Sequence, residues 1–318
     1  MPGHDPGGPA TVPRMTFQEG GRFGGGRVRS RRGGGRGGGA RRGGAVGGIG
    51  AIVVLVGYLV FGQDLSPVVN GLSSGGGGTG GFEAVQESAI PECTAEEANA
   101  DRECRLSATV DALDQYWTQA LPAVGAQYVL PEVVSFQGAV DTSGCGGATS
   151  DTGPFYCPPD QTVYLDLGFY DELQSRFGAS GGPLAEMYVL AHEFGHHIEQ
   201  LTGAMAAADR SGTGPESDSV RIELMADCLA GMWVGHAATT VDPDTGVTYL
   251  EPISRQELAD ALSAASAVGD DRIQRAATGT VNPEAWTHGS SEQRQRWFLV
   301  GYEGGTFAAC NALDAARL

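Results

Sequence analysis

Residues 192–197 read His-Glu-Phe-Gly-His-His. His192, Glu193 and His196 form His-Glu-x-x-His, the pattern in which two imidazoles hold zinc and the glutamate between them works on a water. On a helix, positions four apart share a face, so His192 and His196 reach one ion. Glu193 stands about 100° round from His192, close enough to address a water without binding the metal. A catalytic zinc takes three protein ligands and keeps one position open. The longer pattern that adds glycine at 199 and histidine at 202 is excluded by Glu199 and Thr202. The third ligand is therefore sought downstream, in Val220–Cys228. There Glu223 and Asp227 are again four apart. Glu223 is the expected ligand. Asp227 is expected to accept a hydrogen bond from the free ring nitrogen of a ligand histidine and fix its tautomer. The competing reading of these two acids is a solvated helix face.

The surrounding residues supply the elements that position this chemistry. Met187, Leu190, Ala191, Phe194, Ile198 and Leu201 recur at the spacing of a buried helix face, with His192, His196 and Tyr188 on the other side. Ile222, Met225, Ala226 and Leu229 lie opposite Glu223 and Asp227 in the same way. Gly195 interrupts a helix at a cost of roughly 1 kcal/mol, which suggests the close approach of another backbone. Helices are predicted at about 94–120, 169–178, 182–203, 216–238, 254–268 and 290–303, and strands at 132–139 and 162–167. The fold class is α+β, predominantly helical with a small β-sheet. Gln161–Asp166 is a candidate edge strand for holding an extended substrate, or an ordinary structural strand. Residues 204–217 suit a mobile loop beside the cleft. His288 precedes a helix with Ser290 as N-cap and Gln293 as its capping-box partner. It is a candidate donor to a developing oxyanion, a role also open to Tyr164 or Tyr188. His197 is expected behind the ligands or in the core.

Several runs occur in order: Gly153–Pro158 (Gly-Pro-Phe-Tyr-Cys-Pro), Val163–Asp166 (Val-Tyr-Leu-Asp), His192–His197, Glu223–Cys228 (Glu-Leu-Met-Ala-Asp-Cys), Gly269–Arg272 (Gly-Asp-Asp-Arg) and Thr287–Arg294 (Thr-His-Gly-Ser-Ser-Glu-Gln-Arg). Together they resemble the neutral zinc metallopeptidase family of YpfJ-like proteins, over about residues 85–318. Met225 replaces the family's usual glutamine, and His196-His197-Ile198-Glu199 stands for its usual His-His-Val-Gln. Neither change touches a proposed ligand. The resemblance implies a membrane-anchored zincin and supplies no substrate.

Charge is divided unevenly along the chain. Residues 1–42 hold nine arginines against Asp5 and Glu19, and the remaining eleven arginines face 36 acids in a chain of net charge −18 with no lysine. Gly43–Gln63 carries no charge, and 45–61 is apolar or glycine throughout, near the lower limit for spanning a bilayer. The expected organisation is a disordered Arg/Gly-rich cytoplasmic arm (1–42), a transmembrane helix (43–63), a flexible Gly/Ser linker (64–82) and a metallopeptidase-like domain (83–318). Arginines ahead of the span orient the chain with its N-terminus inside, in the cell membrane, and its catalytic domain outside. A cleaved signal peptide lacks an Ala-x-Ala site. A nucleic-acid role for the arm has little aromatic support, so no nucleic-acid partner is expected.

All six cysteines follow residue 63, which fits disulfides in an oxidising compartment. Short loops favour Cys93–Cys104 and Cys145–Cys157 and leave Cys228–Cys310, although six cysteines allow fifteen pairings. The function expected from these residues is zinc-dependent hydrolysis of peptide or protein substrates. Zn2+ would be held by His192, His196 and Glu223, with Glu193 as general base and then general acid. The alternative is a membrane-tethered binding or assembly factor with a structural or vestigial zinc site. Ester or amide hydrolysis would use the same centre.

Overall fold

The computed structural model describes residues 16–32 and 86–318. Its sheet is built from β2 (Val28–Arg32), β3 (Gln86–Ala89), β5 (Glu132–Gln137), β8 (Phe155–Cys157) and β9 (Thr162–Asp166), in the order β3-β2-β5-β9-β8. The inner pairs β2–β5 and β5–β9 are parallel and the two outer pairs antiparallel. Short strands β1 (Arg22–Phe23) and β4 (Cys93–Thr94) pair apart from it, as do β6 (Ala139–Asp141) and β7 (Gly147–Thr149).

Period-two alternation decides what each face of the sheet buries. Val133, Val163 and Leu165 point into the main core beneath the helices. Val134, Phe136 and Tyr164 point the other way, into a smaller cluster with Phe155 and the Cys145–Cys157 disulfide.

The helices are α1 (Ala95–Ala100), α2 (Arg102–Ala120), α3 (Phe169–Ser175), α4 (Pro183–Thr202), α5 (Ala204–Ala207), α6 (Asp218–Ala237), α7 (Arg255–Ala267), α8 (Asp270–Thr278) and α9 (Ser291–Tyr302). The predicted helix over 94–120 is two, because Asp101 leaves the helical conformation to cap α2 through Cys104. Helix α8 was not predicted. α4 opens on Pro183, whose missing N–H costs nothing in the first turn, and stops at left-handed Gly203. It is buried almost all round between α2, α6 and α7. Glu186 ties it to α2 through Arg102 and Arg105, at 2.8 and 2.7 Å. α6 packs in turn on α9, and Cys228–Cys310 fastens it to the C-terminal segment.

The N-terminal region departs from expectation. Residues 16–32, assigned by composition to a disordered arm, form β1 and β2 of the folded body. Phe17, Phe23 and Val28 are at most 2% exposed. Burying each is worth roughly 1.5–3 kcal/mol. The arginines find acids on the body: Arg27 binds Asp114 at 2.8 Å, Arg29 binds Glu132 at 2.7 Å and Arg31 binds Glu87 at 3.1 Å. Domain bounds of 83–318 therefore omit an inner strand of the sheet. Residues 1–15, 33–42, the expected transmembrane helix 43–63 and the linker 64–82 lie outside the described residues. Among the described residues, no helix is long and apolar enough to cross a membrane.

β9 is a second correction. It pairs on both sides, with β5 and with β8, so Gln161–Asp166 is not an edge strand. β8 is the outer strand beside the helices.

Candidate active site

α4 and α6 pack closely because of one glycine. A Cβ at Gly195 would lie 2.9 Å from both Cα and O of Ala226, so only glycine lets the two helix backbones meet there. That contact sets His192 and His196 on α4 opposite Glu223 on α6. Donor atoms of the three residues lie within 4.8 Å of one another. Glu223 approaches the Nε2 of both rings, at 3.2 Å from His192 and 3.6 Å from His196.

Each ring is held from behind. His192 Nδ1 donates to Asp227 at 2.9 Å, and His196 Nδ1 donates to Glu199 at 2.9 Å. Both Nε2 atoms are thus turned toward Glu223. Asp227 is itself saturated: Tyr188 donates its hydroxyl at 2.5 Å, and Arg294 donates Nε and a terminal nitrogen at 2.8 and 2.9 Å. Arg294 and Glu199 were not assigned roles from sequence. The signal for Arg294 was the Thr287–Arg294 run together with the need of a buried aspartate for a cation.

Burial and charge pull against each other throughout this cluster. Burial disfavours protonated His192, yet Asp227 and Glu223 outweigh it and raise its pKa to about 10. Burial likewise opposes a raised pKa at His196, and Glu223 and Glu199 overcome it. Glu223 is driven well below the carboxylate range by His196, His288 and His192, despite burial. Burial raises Glu193 and Glu199. The cluster is an anionic cradle that holds cationic charge, as protons on the rings or as a metal in their place.

Zinc fits that cradle. Ligand atoms on a tetrahedral ion stand roughly 3.3 Å apart; one Glu223 oxygen lies 3.2 Å from His192 Nε2 and its other oxygen 3.6 Å from His196 Nε2. Carboxylates behind both rings fix the tautomer that leaves Nε2 free to bind. A second group of possible ligands, Cys93, Glu97 and Cys104, is discounted because its cysteines form a disulfide.

The cluster forms the floor of a cleft of about 150 Å³. Glu193 lines it, and its carboxylate makes no hydrogen bond to another described residue. Phe155, Phe169, Phe177, Val189, Ile222 and Ile273 supply apolar wall. His288 also faces the cleft. Its Nδ1 lies 3.0 Å from the Thr287 hydroxyl and 3.3 Å from Asp270, which leaves Nε2 for the cleft. Burial opposes protonation of His288, but Glu223 and Asp270 raise its pKa.

Other expected residues stand elsewhere. His197 is fully buried with Nε2 donating to the Val129 carbonyl at 2.7 Å and Nδ1 at 2.9 Å from the Tyr156 hydroxyl, so both ring nitrogens are committed to the sheet side. Tyr164 donates to Asp160 and is absent from the cleft lining, and the Tyr188 hydroxyl is committed to Asp227. Residues 204–217 contribute Met205 and Arg210 to the cleft. Ser290 and Gln293 form the expected capping box of α9.

The sequence profile of the family described as putative neutral zinc metallopeptidase matches residues 15–313. The chain belongs to this family. It is 48% identical over 230 residues to Rv2575 of Mycobacterium tuberculosis H37Rv, covering 72% of this chain and 77% of that protein. It is 40% identical over 219 residues to YpfJ of Escherichia coli K12, covering 67% and 72%. Both relatives are uncharacterized proteins, and no solved structure matches the chain significantly. Zinc is implied by the family's description as well as by the donor set.

Proposed function

We propose that the chain is a zinc metallopeptidase that hydrolyses peptide bonds. The observation that carries this reading is an unengaged carboxylate, Glu193, beside three converging ligands on the floor of an apolar cleft. His192 Nε2, His196 Nε2 and Glu223 would hold the zinc. When bound, the ion supplies Lewis acidity that makes water nucleophilic near neutral pH and polarises a carbonyl.

The chain's own residues do the rest. Glu193 takes a proton from the water as its oxygen attacks the scissile carbonyl carbon. It returns that proton to the amine nitrogen as the carbon–nitrogen bond breaks. His288 Nε2 donates toward the carbonyl oxygen as negative charge develops there. Asp227 and Glu199 keep both ligand rings in the binding tautomer.

Three features refine the reading. Apolar wall beside the floor favours an uncharged, bulky side chain next to the scissile bond, because a charged one would be desolvated without a partner. The acidic chain favours neutral or basic peptides. Three disulfides support work in an oxidising, extracytoplasmic setting. Attachment to a membrane rests on the uncharged run at 43–63 alone.

The test is incubation of the full, zinc-loaded chain with a mixed peptide library, with products mapped by mass spectrometry. Cleavage beside bulky apolar residues that stops on chelation and resumes with zinc is expected. Zinc binding without any cleavage would favour a binding or assembly role.

A further inference from the structure

We propose that the N-terminal segment 16–32 lies on the same side of any membrane as the body that carries the cleft, as a permanent strand of that body within one molecule. Arg32 and Gln86 are paired across the β2–β3 ladder. These two ends of the described segments are thus neighbouring points of one antiparallel pair, about 5 Å apart. A chain that crossed a bilayer once between them would place residues 16–32 and 86–318 on opposite faces. Such a crossing and this sheet exclude each other.

β2 is not a loosely added edge. It is bonded to β3 on one side and to β5 on the other. The segment before it is stitched to three further parts of the body. The backbone N–H groups of Thr16 and Phe17 both donate to the Asn99 side chain, at 3.0 and 2.9 Å. The Thr16 hydroxyl donates to buried Glu257 at 3.1 Å, and Glu251 N–H donates to the Thr16 carbonyl at 3.0 Å. The Phe23 ring stacks on Tyr249 with centroids 6.1 Å apart. The family match also begins at residue 15, immediately before this segment.

The placement has a consequence for the cleft. β2 supports β5, β5 supports β9, and β9 supports β8, whose Phe155 and Tyr156 line the cleft. An N-terminus left behind a membrane would leave β5 with an open edge two strands from that wall. Three disulfides put the body in an oxidising compartment, so the N-terminal segment travels there with it.

The full chain, tagged with different epitopes at its two ends, is expressed in a bacterial host and exposed to protease in spheroplasts. Both tags should be digested to the same extent; protection of the N-terminal tag with loss of the C-terminal one would overturn the proposal. A second variant, Arg29→Cys with Ala89→Cys, joins paired positions of β2 and β3, and all native cysteines are already bonded. The expected result is a monomer that migrates faster on a non-reducing gel. A linked dimer would show a strand exchanged between copies, and no new link would show that the pairing does not form; either contradicts the inference.

Discussion

Asp227 and Arg294 form a buried pair directly behind His192, the proposed zinc ligand: Arg294 Nε lies 2.8 Å from Asp227, which in turn lies 2.9 Å from His192 Nδ1. Aspartate there is fully buried and arginine 3% exposed. Removing one partner strands the other's charge, at about 3–5 kcal/mol. Arg294→Met should lower stability by that amount in chemical denaturation. Asp227→Asn should weaken zinc binding roughly 10–100-fold, measured by competition with a chelating dye. Unchanged affinity would show that Asp227 does not orient His192.

Glu199 makes the same contact to His196 through one oxygen; its Oε1 is buried without a hydrogen-bond partner among the described residues. Glu199→Gln keeps an acceptor for His196 and removes a buried charge. It should preserve fold stability and weaken zinc binding less than about tenfold, whereas Glu199→Ala should lose about 10–100-fold. Equal losses in both variants would mean that charge, not ring orientation, matters.

Gly195 holds α4 against α6. A methyl group there, 2.9 Å from the Ala226 backbone, forces the helices apart. Gly195→Ala should destabilise by about 1–3 kcal/mol through overpacking, despite a helix-propensity gain of about 1 kcal/mol. Because the same helices carry the ligands, zinc affinity should fall with it. A stabilised variant would show that the helices have room to spare.

Asp111, close to Gly24 of the N-terminal segment, has its carboxyl pushed up to about 7 by burial, and then by the charge of Asp114. The folded chain therefore keeps a proton that the unfolded chain has released above about pH 4. Stability from this group is full at lower pH and is lost as pH rises toward 7. Its partial exposure limits the change to about 1–3 kcal/mol. Asp111→Asn should be the more stable protein at pH 8, with a shallower fall between pH 4 and pH 8 in denaturant titrations. Parallel curves for the two proteins would sink this assignment.

What sequence reading reaches here follows the range of the interaction. His192, Glu193, His196, Glu223 and Asp227 are arranged by helical period, a local property, and the structure brings His192, His196 and Glu223 together with Asp227 behind His192. Short-range cysteine spacing pairs Cys93 with Cys104 and Cys145 with Cys157 in the same way. Strand order is not local. Nothing in Thr162–Asp166 announces that β5 and β8 flank it on both sides. The role of Arg294 depends on Asp227, 67 residues away. The N-terminal strand was hidden by composition: Phe17, Phe23 and Val28 are widely spaced among glycine and arginine, and the acids that neutralise those arginines lie far along the chain.

Glu193 is proposed as the proton-transfer group of a zinc-dependent hydrolase. Zinc content and peptide cleavage measured side by side, on the wild-type chain and Glu193→Gln, test it most directly. About one zinc per chain is expected in both proteins, with a loss of turnover in the variant of at least about 10²–10⁴-fold. Cleavage by Glu193→Gln at the wild-type rate would contradict it.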